Sequence, residues 1–362
     1  MAEIRLENVG HSYDGGTTFA LNPITLTWED GNAIALLGPS GCGKTTLLNI
    51  ISGLLTPSVG RVFFDGVDVT DLDTAKRNVA QVFQFPVLYD TMTVRENLSF
   101  PLKNRNVAKD VIAARVDEIA ELLGINKYLD IRPQKLRSDL QQLVSLGRGL
   151  VRRDVPAILF DEPLTVIDQN FKWTLRGRLK EMHNSTRYTL VYVTHDQTEA
   201  LTFADDVVVL NQGNIVQTGT ASDLFLAPQD EFVGFFIGSP GMNFINASVS
   251  DGSVSIGSTL IGTAVAEHPI PNGEVRLGIR PEFLTLSSAG TGTDVKINRV
   301  EHRGGYKLIH ADGPHGNVVA KLPNDSAFVA GEKAQLVFHP ERTYLFRDSK
   351  LAGRVSTKGA GQ

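Results

Sequence analysis

Hydrophobic and polar positions alternate near the start of the chain and then give way to a continuous apolar run. Residues 3–13 and 24–28 alternate, as in the strands of a half-buried antiparallel sheet. Residues 33–38 are almost entirely apolar, which is typical of a central strand covered on both faces. Residues 44–52 have the spacing of a helix that ends before Gly53. The pattern predicts a strand, a glycine-rich turn and a helix in succession.

Apolar runs and helical patterns continue to alternate through the middle of the chain. Helical spacing covers 107–123 and roughly 139–152. Apolar runs rich in β-branched residues lie at 157–163, 189–195 and 207–210, with a helical pattern between the first two. Strands that alternate with helices predict the α/β class, with a parallel sheet flanked by helices.

The pattern changes after about residue 236, beyond which short alternating stretches are separated by Gly, Pro, Asn and Asp. Such stretches predict a small all-β domain. We therefore expect an α/β domain at 1–235, with an α-helical subdomain near 88–155, and a β-barrel-like domain at 236–350. Residues 351–362 are expected to form a flexible, unpacked tail.

The composition is that of an ordinary globular protein, because apolar residues make up 42% and charged residues 21% of 362 positions. The net charge of −5 argues against a nucleic-acid-binding protein, which usually has a basic balance. A single cysteine excludes an intrachain disulfide and is typical of a reducing compartment. No window approaches the ~18 consecutive apolar residues of a membrane-spanning helix, and the N-terminus lacks a secretory signal. We therefore expect a cytosolic protein that reaches a membrane only by docking to another protein.

A phosphate-binding motif lies between the apolar run and the first helix. Residues 38–45, GPSGCGKT, match G-x-x-x-x-G-K-[ST], a loop that wraps phosphates with backbone N–H groups at a helix N-terminus. Gly41 and Gly43 permit the backbone conformations of such a loop. Lys44 is expected to reach the β- and γ-phosphates, and the Thr45 hydroxyl to bind Mg²⁺. The strand–loop–helix context argues against a plain glycine-rich turn.

A second motif ends the apolar run at 158–160, where Asp161 and Glu162 follow the strand. The carboxyl ends of parallel strands meet at one edge of a sheet, so this pair is expected beside the phosphate loop. Asp161 is expected to hold Mg²⁺, directly or through water. Glu162 is expected to orient and deprotonate the attacking water. Such a pair is more often a solvated turn, but the phosphate loop in the same chain favours the functional interpretation.

These motifs resemble those of the ATPase subunits of ATP-binding-cassette (ABC) transporters, and the resemblance covers nearly the whole chain. Gln84 lies in a segment similar to the family's glutamine loop, which implies that it senses Mg²⁺ and the attacking water. Residues 193–200, VTHDQTEA, resemble the switch-histidine segment, which implies that His195 contacts the γ-phosphate. Tyr13 lies where the family stacks an aromatic ring on adenine, and 165–168 occupies the position of the D-loop.

The resemblance implies a site for ATP and Mg²⁺. Its catalytic residues are Glu162 and His195, and its metal-binding residues are Thr45, Gln84 and Asp161. The nucleotide-binding residues that the resemblance implies are Tyr13, Gly38, Pro39, Ser40, Gly41, Cys42, Gly43, Lys44, Thr45, Thr46, Gln84, Arg137, Ser138, Asp139 and Asp161. Among these, Cys42 is expected to be incidental as chemistry.

The C-terminal part resembles the carbohydrate-importer branch of the family, at 238–247 and 277–286. In that branch an OB-like barrel domain follows the ATPase domain, stabilises the ATPase dimer and can receive regulatory proteins. The resemblance implies a peripheral protein at the cytoplasmic face of a bacterial inner membrane. Its implied partners are two membrane-spanning permease subunits and an extracytoplasmic solute-binding protein, with no nucleic acid.

The signature loop departs from the family pattern LSGGQ, because residues 136–140 read LRSDL. Arg137 replaces the signature serine, Ser138 and Asp139 replace the two glycines, and Leu140 replaces the glutamine. In the family this loop donates a serine hydroxyl and glycine N–H groups to the γ-phosphate. Asp139 is expected to place a negative charge close to a polyanion, which Arg137 offsets in part.

In this family two ATPase domains enclose two ATP molecules, and each site joins the phosphate loop of one subunit to the signature loop of the other. We therefore expect a heterodimer with a second ABC ATPase that carries an intact signature. Glycerol uptake systems that pair two related ATPases resemble this arrangement. They imply glycerol, or a similar small polyol or sugar, as the transported solute.

Other functions are consistent with parts of the sequence. A regulatory subunit that binds nucleotide without turnover is one alternative, and Glu162 argues against it. A soluble cassette ATPase of DNA repair or translation is another. The chain lacks the long coiled-coil insertion or second cassette of such proteins. The C-terminal domain lacks the basic residues interleaved with aromatic residues that an oligonucleotide-binding surface needs.

Overall fold

The computed structural model describes residues 2–288, 292–314 and 316–356 of the chain. The chain divides into two compact units, Met1–Ala221 and Ser222–Gln362. Each unit has its own hydrophobic core of buried aliphatic and aromatic side chains. No helix in the described part of the chain is long and apolar enough to cross a membrane.

The first unit contains a four-stranded and a six-stranded sheet. Its strands are β1 Ile4–His11, β2 Leu21–Trp28, β3 Ala33–Leu37, β4 Val59–Phe64, β5 Val67–Asp68, β6 Ala80–Val82, β7 Ile158–Asp161, β8 Leu190–Thr194, β9 Asp206–Asn211 and β10 Asn214–Gly219. The antiparallel sheet has the order β2-β1-β4-β5. The other sheet has the order β10-β9-β3-β8-β7-β6, with parallel pairing from β9 to β6. The predicted α/β class with a central apolar strand is confirmed, since β3 is buried throughout.

Helices cover the sheet and form an α-helical group of their own. They are α1 Lys44–Ser52, α2 Thr74–Arg77, α3 Val94–Lys103, α4 Lys109–Leu123, α5 Ser138–Leu150, α6 Gln169–Thr186 and α7 Gln197–Phe203, with 3₁₀ turns at Asn126–Tyr128 and Pro133–Lys135. Thr93 and Glu96 form a capping box that starts α3, and Gly124 ends α4 in the left-handed conformation. A Cβ on Gly147 would lie 2.6 Å from Leu98 Cδ2, so glycine lets α5 approach α3 closely. The predicted helices at 107–123 and 139–152 correspond to α4 and α5.

The second unit begins with two short helices and continues as β structure. Its helices are α8 Ala221–Leu226 and α9 Glu231–Phe236, with 3₁₀ turns at Pro281–Phe283 and Pro340–Arg342. Its strands are β11 Asn243–Ser250, β12 Ser253–Ile256, β13 Thr259–Val265, β14 Gly273–Ile279, β15 Leu284–Ser287, β16 Thr293–His302, β17 Tyr306–Gly313, β18 Gly316–Pro323, β19 Lys333–Phe338, β20 Thr343–Arg347 and β21 Lys350–Ser356. They form a closed barrel, β11-β12-β13-β21-β20-β14, and a sheet, β15-β19-β16-β17-β18. The predicted small all-β domain is confirmed.

The prediction of an unpacked tail from residue 351 is wrong for 351–356. These residues belong to β21, which pairs with β20 and closes the barrel against β13. Val355 is buried inside the barrel. The closing strand, KLAGRVS, has one glycine and two basic residues among its seven positions, so its pairing with the distant strand β13, and not its own composition, defines it. Residues 357–362 of the predicted tail lie outside the described residues.

The predicted boundary at 235/236 lies too late in the chain. Helix α9 and all of α8 except its first residue belong to the second unit, which begins at Ser222. The fully buried guanidinium of Arg280 donates hydrogen bonds to the carbonyls of Phe225 and Ile237 at the ends of these helices. The change of sequence pattern near residue 236 marks the start of the strands. The second unit starts earlier, because the helices before these strands already pack against Arg280.

Candidate functional site

The loop between β3 and α1 has the backbone that its glycines predict. Gly41 and Gly43 adopt φ angles of +78° and +102°, in the region that favours glycine. A Cβ on Gly38 would lie 2.2 Å from the Leu210 carbonyl oxygen, so a larger residue does not fit there. The loop therefore lies tightly against the end of β9 and leads directly into α1.

The Lys44 side chain is folded inside this loop. Its Nζ donates hydrogen bonds of 2.8 Å to the carbonyl oxygens of Gly38 and Pro39, and only 5% of the residue is exposed. Cys42 is buried beside it, and burial raises the pKa of its thiol. A protonated, buried thiol is a poor nucleophile, so Cys42 acts as a packing residue.

Thr45 and Asp161 meet at the edge of the parallel sheet. Asp161 is the last residue of β7, and the Thr45 hydroxyl of α1 donates to its Oδ1 at 3.2 Å. Burial raises the pKa of Asp161 above its ordinary value. The Thr45 hydrogen bond opposes this rise, and the negative charge of Glu162 adds to it. A nearby positive charge would stabilise the ionised form of the Asp161 carboxylate.

Glu162 is the centre of a polar cluster. Its Oε2 lies 3.1 Å from His195 Nδ1, 3.2 Å from Thr165 Oγ1 and 3.4 Å from Gln84 Nε2. The side chain is 17% exposed. Its φ of +45° is unusual for a non-glycine residue and places the carboxylate at the end of the sheet. The loops after β6, β7 and β8 thus bring Gln84, Glu162 and His195 together.

Tyr13 lies at the other side of the phosphate loop. Its hydroxyl is within hydrogen-bond distance, 3.2 Å, of Thr46 Oγ1 on α1, and its ring makes an edge contact with His11. The residue is 66% exposed, so Tyr13 presents an open aromatic surface.

Residues 136–140, which the sequence predicts to occupy the signature position, form a separate group at the N-terminus of α5. Arg137 precedes this helix and binds Asp139 through two hydrogen bonds, Nε–Oδ1 at 3.2 Å and Nη2–Oδ2 at 2.5 Å. The hydrogen bond from Arg137 holds the pKa of Asp139 below its ordinary value. Among the described residues, no hydrogen bond or ion pair joins Arg137, Ser138 or Asp139 to the phosphate loop. Arg137 and Asp139 therefore form an ion pair at the surface, where the Arg137 side chain is 81% exposed.

Sequence reasoning missed two buried polar residues near the site. Gln142 on α5 is fully buried, and its Nε2 donates to the carbonyl oxygens of Phe83 and Pro163 at 3.0 and 3.1 Å. It thereby links α5 to the segments that carry Gln84 and Glu162. Glu199 on α7 is also buried, and its Oε2 accepts a hydrogen bond from Thr194, the residue before His195. A polar residue on the apolar face of a predicted helix is the signal that would have found Gln142.

Known protein families match both units of the chain. The model of the ABC transporter family matches residues 21–165, that of the MalK OB fold domain matches 238–284, and that of the TOBE domain matches 277–346. A dimeric structure of a bacterial ABC transporter cassette is similar to this chain with a TM-score of 0.55 and 29% identity, covering 60% of this chain and 98% of that one. A post-hydrolysis state of an ATP-binding cassette, bound to ADP and Pi, has a TM-score of 0.55 and 28% identity, with the same coverage.

Curated relatives resemble the chain over almost its whole length. It is 40% identical over 352 residues to the sn-glycerol-3-phosphate import ATP-binding protein UgpC of Paracoccus denitrificans (strain Pd 1222), with 96% of this chain and 97% of that protein covered. It is 39% identical over 360 residues to the protein of the same name from Ruegeria pomeroyi (strain ATCC 700808 / DSM 15171 / DSS-3), with 98% and 100% covered.

The fold and the site define a P-loop nucleoside triphosphatase of the cassette type. The chain belongs to the ATP-binding subunits of ABC transporters, in the carbohydrate-importer branch with a MalK-type OB domain. It binds ATP and couples ATP hydrolysis to import. The family and the enzyme class predicted from the phosphate loop and its companion motifs are confirmed.

Proposed function

We propose that this chain supplies one half of a hydrolytic site in a bacterial importer whose two ATPase subunits differ. The observation that carries the proposal is a contrast between two parts of the chain. Glu162 is surrounded by the groups that a general base needs. The signature residues Arg137 and Asp139 are instead bound to each other.

The phosphate loop is proposed to hold the β- and γ-phosphates of ATP. The loop leads directly into the N-terminus of α1, where the helix dipole favours negative charge. Lys44 is already held at the loop by the carbonyls of Gly38 and Pro39. Its ammonium group can exchange these acceptors for phosphate oxygens by a small movement of a flexible side chain.

Thr45, Asp161 and Gln84 are the residues proposed to hold Mg²⁺. The fit rests on oxygen donors, since Thr45 Oγ1 and Asp161 Oδ1 lie 3.2 Å apart and Mg²⁺ prefers a few protein oxygens together with phosphate oxygens. Among the described residues there is no cluster of three or more His, Cys, Asp or Glu side chains that could hold a metal alone. When bound, the ion neutralises charge on the phosphate oxygens.

Glu162 is proposed to be the general base. It accepts a proton from a water molecule while the water oxygen bonds to the γ-phosphorus and the bond to ADP breaks. Gln84 and His195 hold its carboxylate from two sides. His195 Nδ1 contacts Glu162, so Nε2 is the ring nitrogen that we propose contacts the γ-phosphate.

Tyr13 is proposed to stack on adenine. An exposed ring anchored at its hydroxyl to Thr46 offers a flat apolar face next to the phosphate loop. Tyr13 follows β1 by two residues, and its ring contacts His11 at the end of that strand, so the ring belongs to the same unit as the loop.

The altered signature loop supports a heterodimer. Removal of a single oxyanion-binding donor typically slows an enzyme by about 10²–10³-fold, and this chain lacks the signature serine and both glycines. In a homodimer both sites would carry this defect. We therefore propose a second ABC ATPase with an intact signature, which completes the site of Glu162. The opposite site, which uses Arg137–Asp139, binds ATP and hydrolyses it slowly.

The remaining partners are proposed from the relatives. The relatives are named as import ATP-binding proteins, which supports an assembly with two permease subunits and an extracytoplasmic solute-binding protein at the bacterial inner membrane. The second unit is proposed to support the ATPase dimer and to receive regulatory proteins, as a MalK-type OB domain. We thus propose that the first unit is the ATPase domain and the second unit the regulatory and dimerisation domain.

Glycerol is the proposed solute. The relatives carry the name of sn-glycerol-3-phosphate, a three-carbon polyol with a phosphate group, which supports a three-carbon solute. Membrane vesicles with the complete importer would test both compounds as isotopically labelled solutes. ATP-dependent uptake of glycerol supports the proposal, whereas uptake of sn-glycerol-3-phosphate alone contradicts it.

A further inference from the structure

A buried carboxylate lies directly behind the turn that carries His195. Glu199 on α7 is 3% exposed. Its Oε2 accepts hydrogen bonds from Thr194 Oγ1 at 2.9 Å and from Tyr192 OH at 3.0 Å. Its Oε1 lies 3.3 Å from the ammonium of Lys172, a residue of α6 that is itself 9% exposed. Both carboxylate oxygens are therefore satisfied by groups from β8 and α6.

Such an arrangement is costly for a structural purpose alone. A buried ion pair loses the hydration of both charges, and well-packed apolar residues of similar volume usually stabilise a fold as well or better. Burial also raises the pKa of Tyr192, and the negative charge of Glu199 adds to this, so the phenol stays protonated and donates to Glu199. The network holds Glu199 in one position with directional bonds.

The network touches two segments of the catalytic cluster. Thr194 precedes His195, and its hydroxyl also accepts a hydrogen bond from the backbone N–H of Asp196 at 3.0 Å. The residues on both sides of His195 are thus fixed through one hydroxyl group that Glu199 orients. Lys172 lies in the first turn of α6, where its backbone N–H donates to the carbonyl oxygen of Asp168 at 2.8 Å.

We infer that Glu199 is a positioning residue that couples the D-loop helix α6 to His195. Residues 165–168 lead into α6, and Thr165 contacts the same oxygen of Glu162 that His195 contacts. Glu199 binds Lys172 on α6 and Thr194 on β8. It thereby connects the segment that carries Thr165 to the segment that carries His195, and both of these residues contact Glu162. The pair Lys172–Glu199 thereby fixes the backbone on both sides of His195, whose Nδ1 lies 3.1 Å from Glu162 Oε2. This inference rests on the proposed role of His195.

The first test removes the pair in steps, in whichever assembled transporter is active. The variants are Glu199→Gln, Lys172→Met and the double variant. Loss of one partner leaves an unpaired buried charge, so each single variant is expected to lower Tm, and the neutral double variant is expected to recover it. The kcat of all of these variants should fall by about 10-fold to 100-fold, as for a displaced catalytic group, with KM for ATP within about two-fold. Recovery of kcat together with Tm in the double variant overturns the inference.

The second test asks whether Glu199 acts through His195. Single-turnover hydrolysis is compared for wild type, Glu199→Gln, His195→Ala and the combined variant, with the exposed α6 variant Glu181→Gln as the control for a lost carboxylate. Glu199→Gln should have no further effect once His195 is removed, because two residues that act as one unit are not additive. If Glu199→Gln slows hydrolysis by the same factor in the His195→Ala background as in wild type, the inference about Glu199 is overturned and the proposed role of His195 stands. A His195→Ala protein with unchanged turnover removes the proposed role of His195 and this inference together.

Discussion

The guanidinium of Arg137, the residue before α5, binds the carboxylate of Asp139 in the first turn of that helix. The two hydrogen bonds measure 2.5 and 3.2 Å. The guanidinium directs two of its donors at Asp139, and Asp139 lies in the first turn of α5, where the helix dipole favours negative charge. The pair carries no net charge. At the proposed signature position of this chain, Arg137 and Asp139 therefore bind each other.

Restoration of the loop should activate the homodimer. Arg137→Ser, Ser138→Gly and Asp139→Gly together remove the ion pair and return a hydroxyl and two unobstructed N–H groups. We expect the ATPase rate of the assembly with only this ATPase to rise by at least about 10-fold, since single donors of this kind contribute about 10²–10³-fold. Steady-state phosphate release measures it. The exposed neighbour Lys135→Ser is the matched control, and an equal rise there would show that the effect is not one of the signature.

Glu162→Gln should abolish turnover and preserve nucleotide binding. The amide keeps the size of the side chain and cannot accept the proton of the attacking water. We expect kcat to fall by about 10²–10⁴-fold, while equilibrium binding of a fluorescent ATP analogue stays within about two-fold of wild type. The exposed carboxylate Glu121 of α4 provides the control variant Glu121→Gln. Turnover near that of the wild type in Glu162→Gln would remove Glu162 from the role of base.

The fold should lose stability below neutral pH through His183. This ring is fully buried, and burial lowers its pKa, an effect that the hydrogen bond to Asp205 opposes. A lowered pKa in the folded state means that the folded protein binds its proton less readily than the unfolded chain. The stability that the neutral His183 ring contributes is therefore fully present above pH 6.5, the ordinary pKa of histidine. It is lost as the pH falls from 6.5 through the lowered pKa of the folded state.

Urea unfolding at pH 7.5 and pH 5.5 measures this dependence. The conditions lie on either side of the ordinary histidine pKa, about 6.5. His183→Gln should flatten the difference in free energy of unfolding between the two pH values, because the glutamine does not titrate. The exposed His302→Gln serves as the control and should leave the wild-type slope. An unchanged slope in His183→Gln would assign the effect to other groups.

Arg280→Met should destabilise the second unit. Burial lowers the pKa of Arg280 to about 10, and the guanidinium donates to the carbonyls of Phe225 and Ile237 and lies over the Phe225 ring. Loss of these bonds leaves buried carbonyls unpaired, at a cost of about 2–4 kcal/mol. Calorimetry of the full chain would show this as a lower Tm of one transition. Lys333→Met, at an exposed position of β19, should change Tm little; equal losses would contradict a specific role.

The local motifs were accessible from the sequence because each is contiguous. The phosphate loop needs one strand, one loop and one helix in succession, and Asp161 and Glu162 need only the end of a strand. Gln84 and His195 were predicted only from their resemblance to family segments. No local sequence pattern predicts the strand order that brings them to Glu162.

What the sequence did not predict depends on contacts between distant residues. Gln142 reads as one of two adjacent glutamines, yet only burial against Phe83 and Pro163 gives it a role. Glu199 reads as part of a helix start, although its partners lie on α6 and β8. The pairing of Arg137 with Asp139 depends on side-chain conformation, so the sequence showed two charges and not their neutralisation.

The most direct test of the asymmetric importer measures ATPase activity in assemblies of defined composition. This chain is coexpressed with the permease subunits, alone and with each ABC ATPase encoded beside it, and each mixed complex is also prepared with Glu162→Gln in this chain. The account predicts almost no hydrolysis with this chain alone, rapid hydrolysis in one mixed complex, and loss of that activity with Glu162→Gln. Rapid hydrolysis by the assembly that contains only this chain would contradict the account, because two Arg137–Asp139 loops would then serve as working signatures.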